Sequence, residues 1–312
     1  MILTGGDCMD NIDFVVENSK DVTINEKNID IILEDINVND FSHWSFFSFF
    51  DGIDERKKII FAFILESMNF CFWLNYDWNC IEDSVVYSGT EMLYKKVKDL
   101  VIKYKFDIEK LCNISIEDFY KSMGENGILP PMVDERYNSY KETLKVISKN
   151  DFFDKLYNIY SDIELEKFIS DNIVSFCDKS YYLGRTIVFN KRCRLLINDL
   201  FLISDNIRKN IKNLNNLKGC ADYSLPRYFR EQKILKYSKR LNKIIEDEEK
   251  IPHGSTYEIE IRASTLYVIE IIRKKLSHRG IKLNSLELDN ILWKLSRINK
   301  TSKPHHTISI YY

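Results

Sequence analysis

Only ten glycines and five prolines interrupt 312 residues, where an ordinary chain carries roughly 7% and 5% of each. So few breakers favour long helices joined by short connections, and they argue against a β-sandwich or a glycine-rich doubly wound sheet. Apolar residues recur at helical spacing over 28–38, 54–75, 90–106, 115–123, 133–149, 151–160, 162–177, 189–215, 226–247, 256–278 and 285–298. The expected fold is therefore all-α, with residues 28–312 as a single helical domain and no Gly/Ser- or Pro-rich linker within it. Residues 1–27 are polar and weakly patterned, and are expected to be a loosely ordered N-terminal segment. Minor short strands are expected near 181–189 and in the alternating end, Ile308-Ser309-Ile310-Tyr311-Tyr312.

Charge and cysteine usage narrow the function. Forty-five basic residues face 47 acidic ones, a formal net charge of −2. A protein that tracks a nucleic-acid backbone carries a basic excess, so a free nucleotide or small fragment is a better partner than a duplex. Seven cysteines are scattered and never spaced as CxxC, which fits neither a disulfide framework nor a zinc site and suits a cytoplasmic location. No signal peptide is visible at Met1-Ile2-Leu3-Thr4. The most apolar stretch, Ile59–Leu74, is broken by Glu66, Ser67 and Asn69 and is shorter than the ~20 residues of a membrane span, so it reads as a core helix. There is no GxSxG, P-loop or GxGxxG, which removes the common hydrolase, phosphotransferase and dinucleotide readings.

Helix starts are legible from capping chemistry. Ser255 with Glu258 fits a capping box, Asn284 with Glu287 gives a related signal, and Pro226 suits the first position of a helix over 226–247. Asp222 falls just before that helix, where an Asx-turn is the ordinary role and a ligand-facing carboxylate the functional one. Asp289 lies beside the apolar stripe of the last helix, with Leu286, Leu292 and Trp293 within a turn and no cation on its face. It is either a surface acid near a helix N-terminus or a cleft carboxyl with a raised pKa. Glu258 and Arg262 stand at i and i+4 as a structural ion pair, leaving Glu260 freer. Glu66 and Asn69 inside an apolar helix form an internal network or line a pocket. His43 is expected to pack, and the adjacent His305 and His306 make a poor metal site because neighbours point to opposite faces.

Six strings in order resemble one family. Met68-Asn69-Phe70-Cys71-Phe72-Trp73 after Glu66 is similar to D-x-L-N-F-C-F-W, Phe189–Leu196 to Y-K-R-A-Q-x-L with Asp199 where that helix continues, and Ala221-Asp222-Tyr223-Ser224-Leu225-Pro226 to A-D-Y-R-V-P. Glu258–Ala263 resembles E-x-E-I-R-A, Leu288-Asp289 through Trp293 resembles L-D-x-x-L-W, and Pro304-His305-His306 with Ile310-Tyr311-Tyr312 resembles P-H-H-x-x-x-I-Y-Y. Together they resemble the queuosine salvage proteins, the queuosine 5′-phosphate N-glycosylases/hydrolases. Departures are Glu66 for the family's Asp, Ser224, Leu225 and Arg227 around Pro226, and Lys294 after Trp293.

The resemblance implies an all-α fold akin to helical DNA glycosylases and hydrolysis of the N-glycosidic bond of queuosine 5′-monophosphate. The product queuine would pass to tRNA modification; no metal, organic cofactor, membrane or nucleic-acid duplex is implied. Such a reaction builds positive charge on the ribose, so it needs a carboxylate near C1′ in a dry pocket. Asp289 at the sugar and Asp222 at the base are expected to carry it, and the sequence is equally compatible with the reverse. Cys220 and Tyr223 would shape the base wall, with Trp293 and His43 on the pocket surface. Lys191 and Arg192 are candidates for the 5′-phosphate. Glu260, Arg262, Glu66 and Asn69 would orient these groups from behind. Two rival readings are a helical DNA or RNA base glycosylase and a non-catalytic helical binding protein.

Overall fold

Buried arginine side chains hold backbone carbonyls at several irregular segments inside this helical protein. The structure, a computed structural model, describes residues 7–37, 52–75, 77–298 and 300–312. In chain order the first elements are α1 (Asp7–Asn18), β1 (Val22–Ile24), α2 (Ile29–Ile32), α3 (Glu55–Ser67), β2 (Asn79–Glu82), β3 (Val85–Ser88) and α4 (Thr90–Lys103). Then come α5 (Ile108–Cys112), α6 (Ile116–Met123), α7 (Val133–Ile147), α8 (Phe152–Tyr157), α9 (Asp162–Asn172), β4 (Lys179–Tyr182) and β5 (Arg185–Val188). The chain continues with α10 (Lys191–Ile203), α11 (Asp205–Asn210), α12 (Ser224–Glu231), β6 (Leu235–Tyr237), α13 (Lys239–Glu246), α14 (Thr256–His278) and α15 (Ser285–Ser296). The class is mostly helical as expected, with three two-stranded antiparallel sheets among the described residues. No helix among the described residues is long and apolar enough to cross a membrane.

Two apolar clusters divide the interior. The first surrounds α3, whose residues Ile59–Ser67 are all buried and which packs on α4, α7 and α10. The second surrounds α14, packed on α1, α12 and α15. Residues 7–27 were expected to be loose, yet α1 lies on α14 with Ile12 and Val15 buried, and β1 pairs with β6 in the register Val22↔Tyr237. The apolar positions were too few to give a strong period, but each finds a partner distant in sequence.

Helix α3 ends at Ser67, not at 75. The reason is local. Arg192 donates to the carbonyls of Glu66 (3.1 Å), Ser67 and Ser175. Arg136 of α7 donates to those of Pro131 (2.8 Å), Met68 and Phe70, with its guanidinium 4.5 Å from the rings of both Phe70 and Phe72. Two buried cations thus take over the carbonyls that a further helical turn would have occupied, and 68–75 leaves the helix as a wall segment. The helix expected over 226–247 is likewise broken, because β6 intervenes between α12 and α13 to pair with β1. The end at 308–312 forms no strand. It is tied instead by a hydrogen bond from the Cys71 N–H to the Tyr312 carbonyl (3.0 Å).

Capping follows the sequence in part: α12 starts at Ser224, which makes Pro226 its third residue and not its first, and Glu258 accepts from the Gly254 N–H (3.1 Å) instead of closing a box on Ser255. Ser255 Oγ accepts from the Glu258 N–H, and Asn284 with Glu287 makes a full capping box at α15. Arg262 on α14 is fully buried between Asp178 and Glu258 (Nη1 to Oε1 3.0 Å), and its Nε donates to the Ala221 carbonyl at 3.1 Å. Burial pushes the Glu258 carboxyl up, but Arg262 and His253 together hold it down at about 2. Replacing Arg262 by Met would strand two buried carboxylates, and such breaks cost about 3–5 kcal/mol. Urea denaturation at pH 7 should show a loss of that size. The loss should shrink toward pH 4 as the stranded Glu258 takes up a proton; an equal loss at both pH values would contradict the ion triad.

Candidate active site

Between the two clusters lies a cavity of about 520 Å³. Its walls come from the segment after α3, the N-terminal half of α10, the loop before α12, the α15 face carrying Asp289 and Trp293, and the terminal Tyr312. Asp289 and Asp222 both line it and are 8% and 9% exposed.

Asp289 sits in the second turn of α15. Its Oδ1 accepts a hydrogen bond from the Cys220 N–H at 2.8 Å. The same peptide is held from its other side, where Arg194 Nη1 donates to the Gly219 carbonyl at 3.2 Å while Arg194 Nε pairs with Glu166 at 2.8 Å. Burial pushes the Asp289 carboxyl up to about 8; the neighbouring Asp222 adds to the rise, and the Cys220 N–H, Lys191 and Arg194 oppose it. A Cβ on Gly219 would lie 2.8 Å from Ile269 Cδ1 and 3.1 Å from Asp289 Oδ1, so only glycine lets the loop approach α14 and α15 this closely.

Asp222 makes the Asx-turn its sequence position suggested and also lines the cavity. Its Oδ1 accepts from the Ser224 N–H at 2.6 Å, an Asx-turn that opens α12, and its Oδ2 lies 3.9 Å from Lys191 Nζ inside the cavity. Lys191 is the first residue of α10, after Asn190 in the left-handed conformation (φ 46°) that asparagine tolerates. Cys220, Tyr223 and Trp293 also line the cavity. Glu66 and Asn69 combine the two alternatives open at the sequence level. Asn69 Nδ2 donates to both Glu66 oxygens (3.1 and 3.0 Å), Asn69 Oδ1 accepts from Thr90 (2.8 Å), and all three face the cavity. Burial pushes Glu66 up to about 7, against the pull of Lys191, Asn69 and Arg192.

Other expectations are corrected. Glu260 does not approach the cavity; it accepts from Ser19 Oγ (2.7 Å), the Asp21 N–H (2.8 Å) and Tyr182 OH (2.9 Å), so it anchors the chain between α1 and β1. Its neighbour two positions on, Arg262, points the other way and reaches the Ala221 carbonyl beside Asp222. Arg192 is spent on the carbonyls behind α3 and is not among the lining residues. His43 lies outside the described residues. Asp199, which the sequence motifs placed on this helix without giving it a role, joins the lining: Lys191, Leu195, Asn198 and Asp199 all line the cavity, and their spacing of four, seven and eight is a single helical face that the sequence already carried.

The family model described as queuosine salvage protein matches residues 51–312, and the chain belongs to that family. It is similar to proteins named queuosine 5′-phosphate N-glycosylase/hydrolase from several organisms. That of Sphaerobacter thermophilus is 29% identical over 279 residues, covering 86% of this chain and 84% of the relative. That of Dictyostelium discoideum is 26% identical over 262 residues, covering 81% and 77%, and that of Mus musculus 25% over 333 residues, covering 96% of each.

Gly219→Ala should cost about 1–3 kcal/mol, the usual range for forcing atoms into a packed interior. In the Ile269→Val background, which removes the Cδ1 atom in the way, the cost should fall. A double-mutant cycle by chemical denaturation measures this, and strictly additive losses would contradict the contact.

Proposed function

We propose that this chain hydrolyses the N-glycosidic bond of queuosine 5′-monophosphate, releasing queuine and ribose 5-phosphate. The observation that carries the reading is the convergence of Asp222 and Asp289, 67 residues apart in sequence (289 − 222), on one cavity of about 520 Å³, within the 300–1,000 Å³ of small-molecule sites. The family match and the relatives' names support the substrate.

In this mechanism the C1′–N9 bond breaks as the ribose gains positive charge and the base leaves with the electron pair. Water adds to C1′, and one of its protons ends on the base. A 7-deazapurine has no N7 to protonate, so stabilising the sugar cation matters more than assisting the leaving group. Asp289, dry and fixed by one N–H on Oδ1, presents Oδ2 as the carboxylate beside C1′, where a charge at short range in low dielectric acts strongly. Asp222, held by Ser224 and facing Lys191, takes the N–H edge of the base. Cys220, Tyr223 and Trp293 form the surfaces against which the base lies. Arg262 acts on this wall only through the Ala221 carbonyl.

On this reading the architecture is akin to helical DNA glycosylases, with the cavity fitted to one nucleotide, and the released base serves tRNA modification in the cytoplasm. The net charge of −2 gives a duplex little to bind.

Incubation with queuosine 5′-monophosphate, followed by chromatography and mass spectrometry, should yield free queuine; no release would overturn the reading. Asp289→Asn should lower kcat by about 10²–10³-fold, the scale of losing one preorganised electrostatic group, with the fold retained by circular dichroism. Near wild-type turnover would remove Asp289 from the chemistry. Because the Asp289 pKa is raised to about 8, the empty site holds the proton below that value and the anion forms above it. The reactive form is the anion, so kcat/KM should rise with pH and level off above about 8. A fall through the same range would make Asp289 a proton donor instead.

A further inference from the structure

One group in the cavity has no assigned task. Asp199, in the third turn of α10, is 8% exposed and lines the cavity. No hydrogen bond or ion pair joins it to any described residue. Its neighbour in charge is another carboxyl: burial pushes Asp199 well up, and Glu66 raises it further. The cations nearby are committed elsewhere. Arg192 serves the carbonyls behind α3, Arg194 serves Glu166 and Gly219, and Lys191 faces Asp222. An unpartnered buried carboxylate is costly, and a second one beside it is more so, unless a ligand supplies the missing charge.

The cavity lining is also electrically polarised. Arg227, Arg297 and Lys300 belong to it as well. Arg297 lies two turns beyond Asp289 on the α15 line, about 12 Å at 1.5 Å per residue, and Arg227 donates to the Ser296 carbonyl at the end of that helix. The charges that act on Lys300 come from Arg297, Arg227, Glu231 and Glu91, whereas Glu66 feels Lys191 and Arg192. Arg227 and Arg297 are paired with Glu231 (2.7 Å) and Glu91 (3.3 Å), so Lys300 is the cation of that stretch of lining, apart from the carboxyls that face Lys191. A ligand with a cation at one end and an anion at the other matches this arrangement.

We infer that Glu66 and Asp199 form a cation subsite that receives the secondary ammonium carried by the substituent on the 7-deazaguanine base. The inference rests on the proposed function and deepens it by assigning the part of the substrate that sets it apart from ordinary guanine nucleotides. Asn69 locks Glu66 through both oxygens, and Thr90 locks Asn69, so the pair is built before the ligand arrives. Asp199 supplies the open acceptor. The ammonium then supplies the positive charge that lets these buried carboxyls ionise, and a nucleotide lacking the amine leaves Asp199 without a partner. Specificity arises as much from that penalty as from the ion pair the amine makes.

The test compares queuosine 5′-monophosphate with 7-deazaguanosine 5′-monophosphate, which has the same glycosidic bond and phosphate but no amine. The wild-type protein should prefer the amine-bearing nucleotide by at least about tenfold in kcat/KM, and in Asp199→Asn this ratio should fall toward one, chiefly through KM. An unchanged ratio in a folded Asp199→Asn protein overturns the subsite while leaving hydrolysis itself standing. No base released from either nucleotide overturns the parent reading, and the subsite with it. Should Asp199→Asn fail to fold, calorimetry on the wild-type protein decides with queuine and with queuine acylated on its amine. The neutral acyl compound should bind at least about tenfold more weakly, and equal affinity rejects the subsite.

Discussion

The backbone around the cavity is held by guanidinium groups. Arg136 and Arg192 gather the carbonyls at the end of α3, Arg262 holds Ala221, and Arg194 holds Gly219. Buried carbonyls must find donors, and at these places neither helix nor sheet supplies them. The planar fork of arginine can reach several carbonyls at once, so each side chain fixes a stretch of irregular wall. The cavity exists because these segments are pinned without being regular.

That scaffolding permits an energetically awkward interior. Four carboxyls, Glu66, Asp199, Asp222 and Asp289, line one cavity together with Lys191, which faces Asp222. Burial raises Asp289, Glu66 and Asp199, which means the folded state resists ionising them. A site of this kind costs stability and is tolerated where chemistry or recognition uses the charge. The Gly219–Cys220 peptide shows the precision involved: one donor aligns Asp289, one acceptor meets Arg194, and the missing side chain of Gly219 leaves the space for both.

Sequence spacing revealed the local order of this molecule. The caps at Ser255 and Asn284, the ion pair Glu258–Arg262 and the helix over 256–278 depend on residues within four positions of each other. The carboxyls at 222 and 289 stand out in the sequence, Asp289 because it lies beside an apolar stripe and Asp222 because it stands in the turn before a helix. Asp199 does not, since a single acid on a long amphipathic helix looks like surface until the opposing wall is known. Glu260 misleads in the opposite sense. Its spacing sets it apart from the Glu258–Arg262 pair, but its partners come from residues 19–21 and 182, far away in the chain.

Periodicity, capping and composition determined a mostly helical chain, and ordered motifs determined its kinship. Where helices stop was decided by the tertiary structure, because α3 and the 226–247 region end on contacts with distant arginines and a distant strand. So was the meeting of Asp222, Asp289, Glu66 and Asp199 around one cavity. Local pattern reports a residue's neighbours along the chain, whereas the dryness and charge of a site depend on neighbours across space.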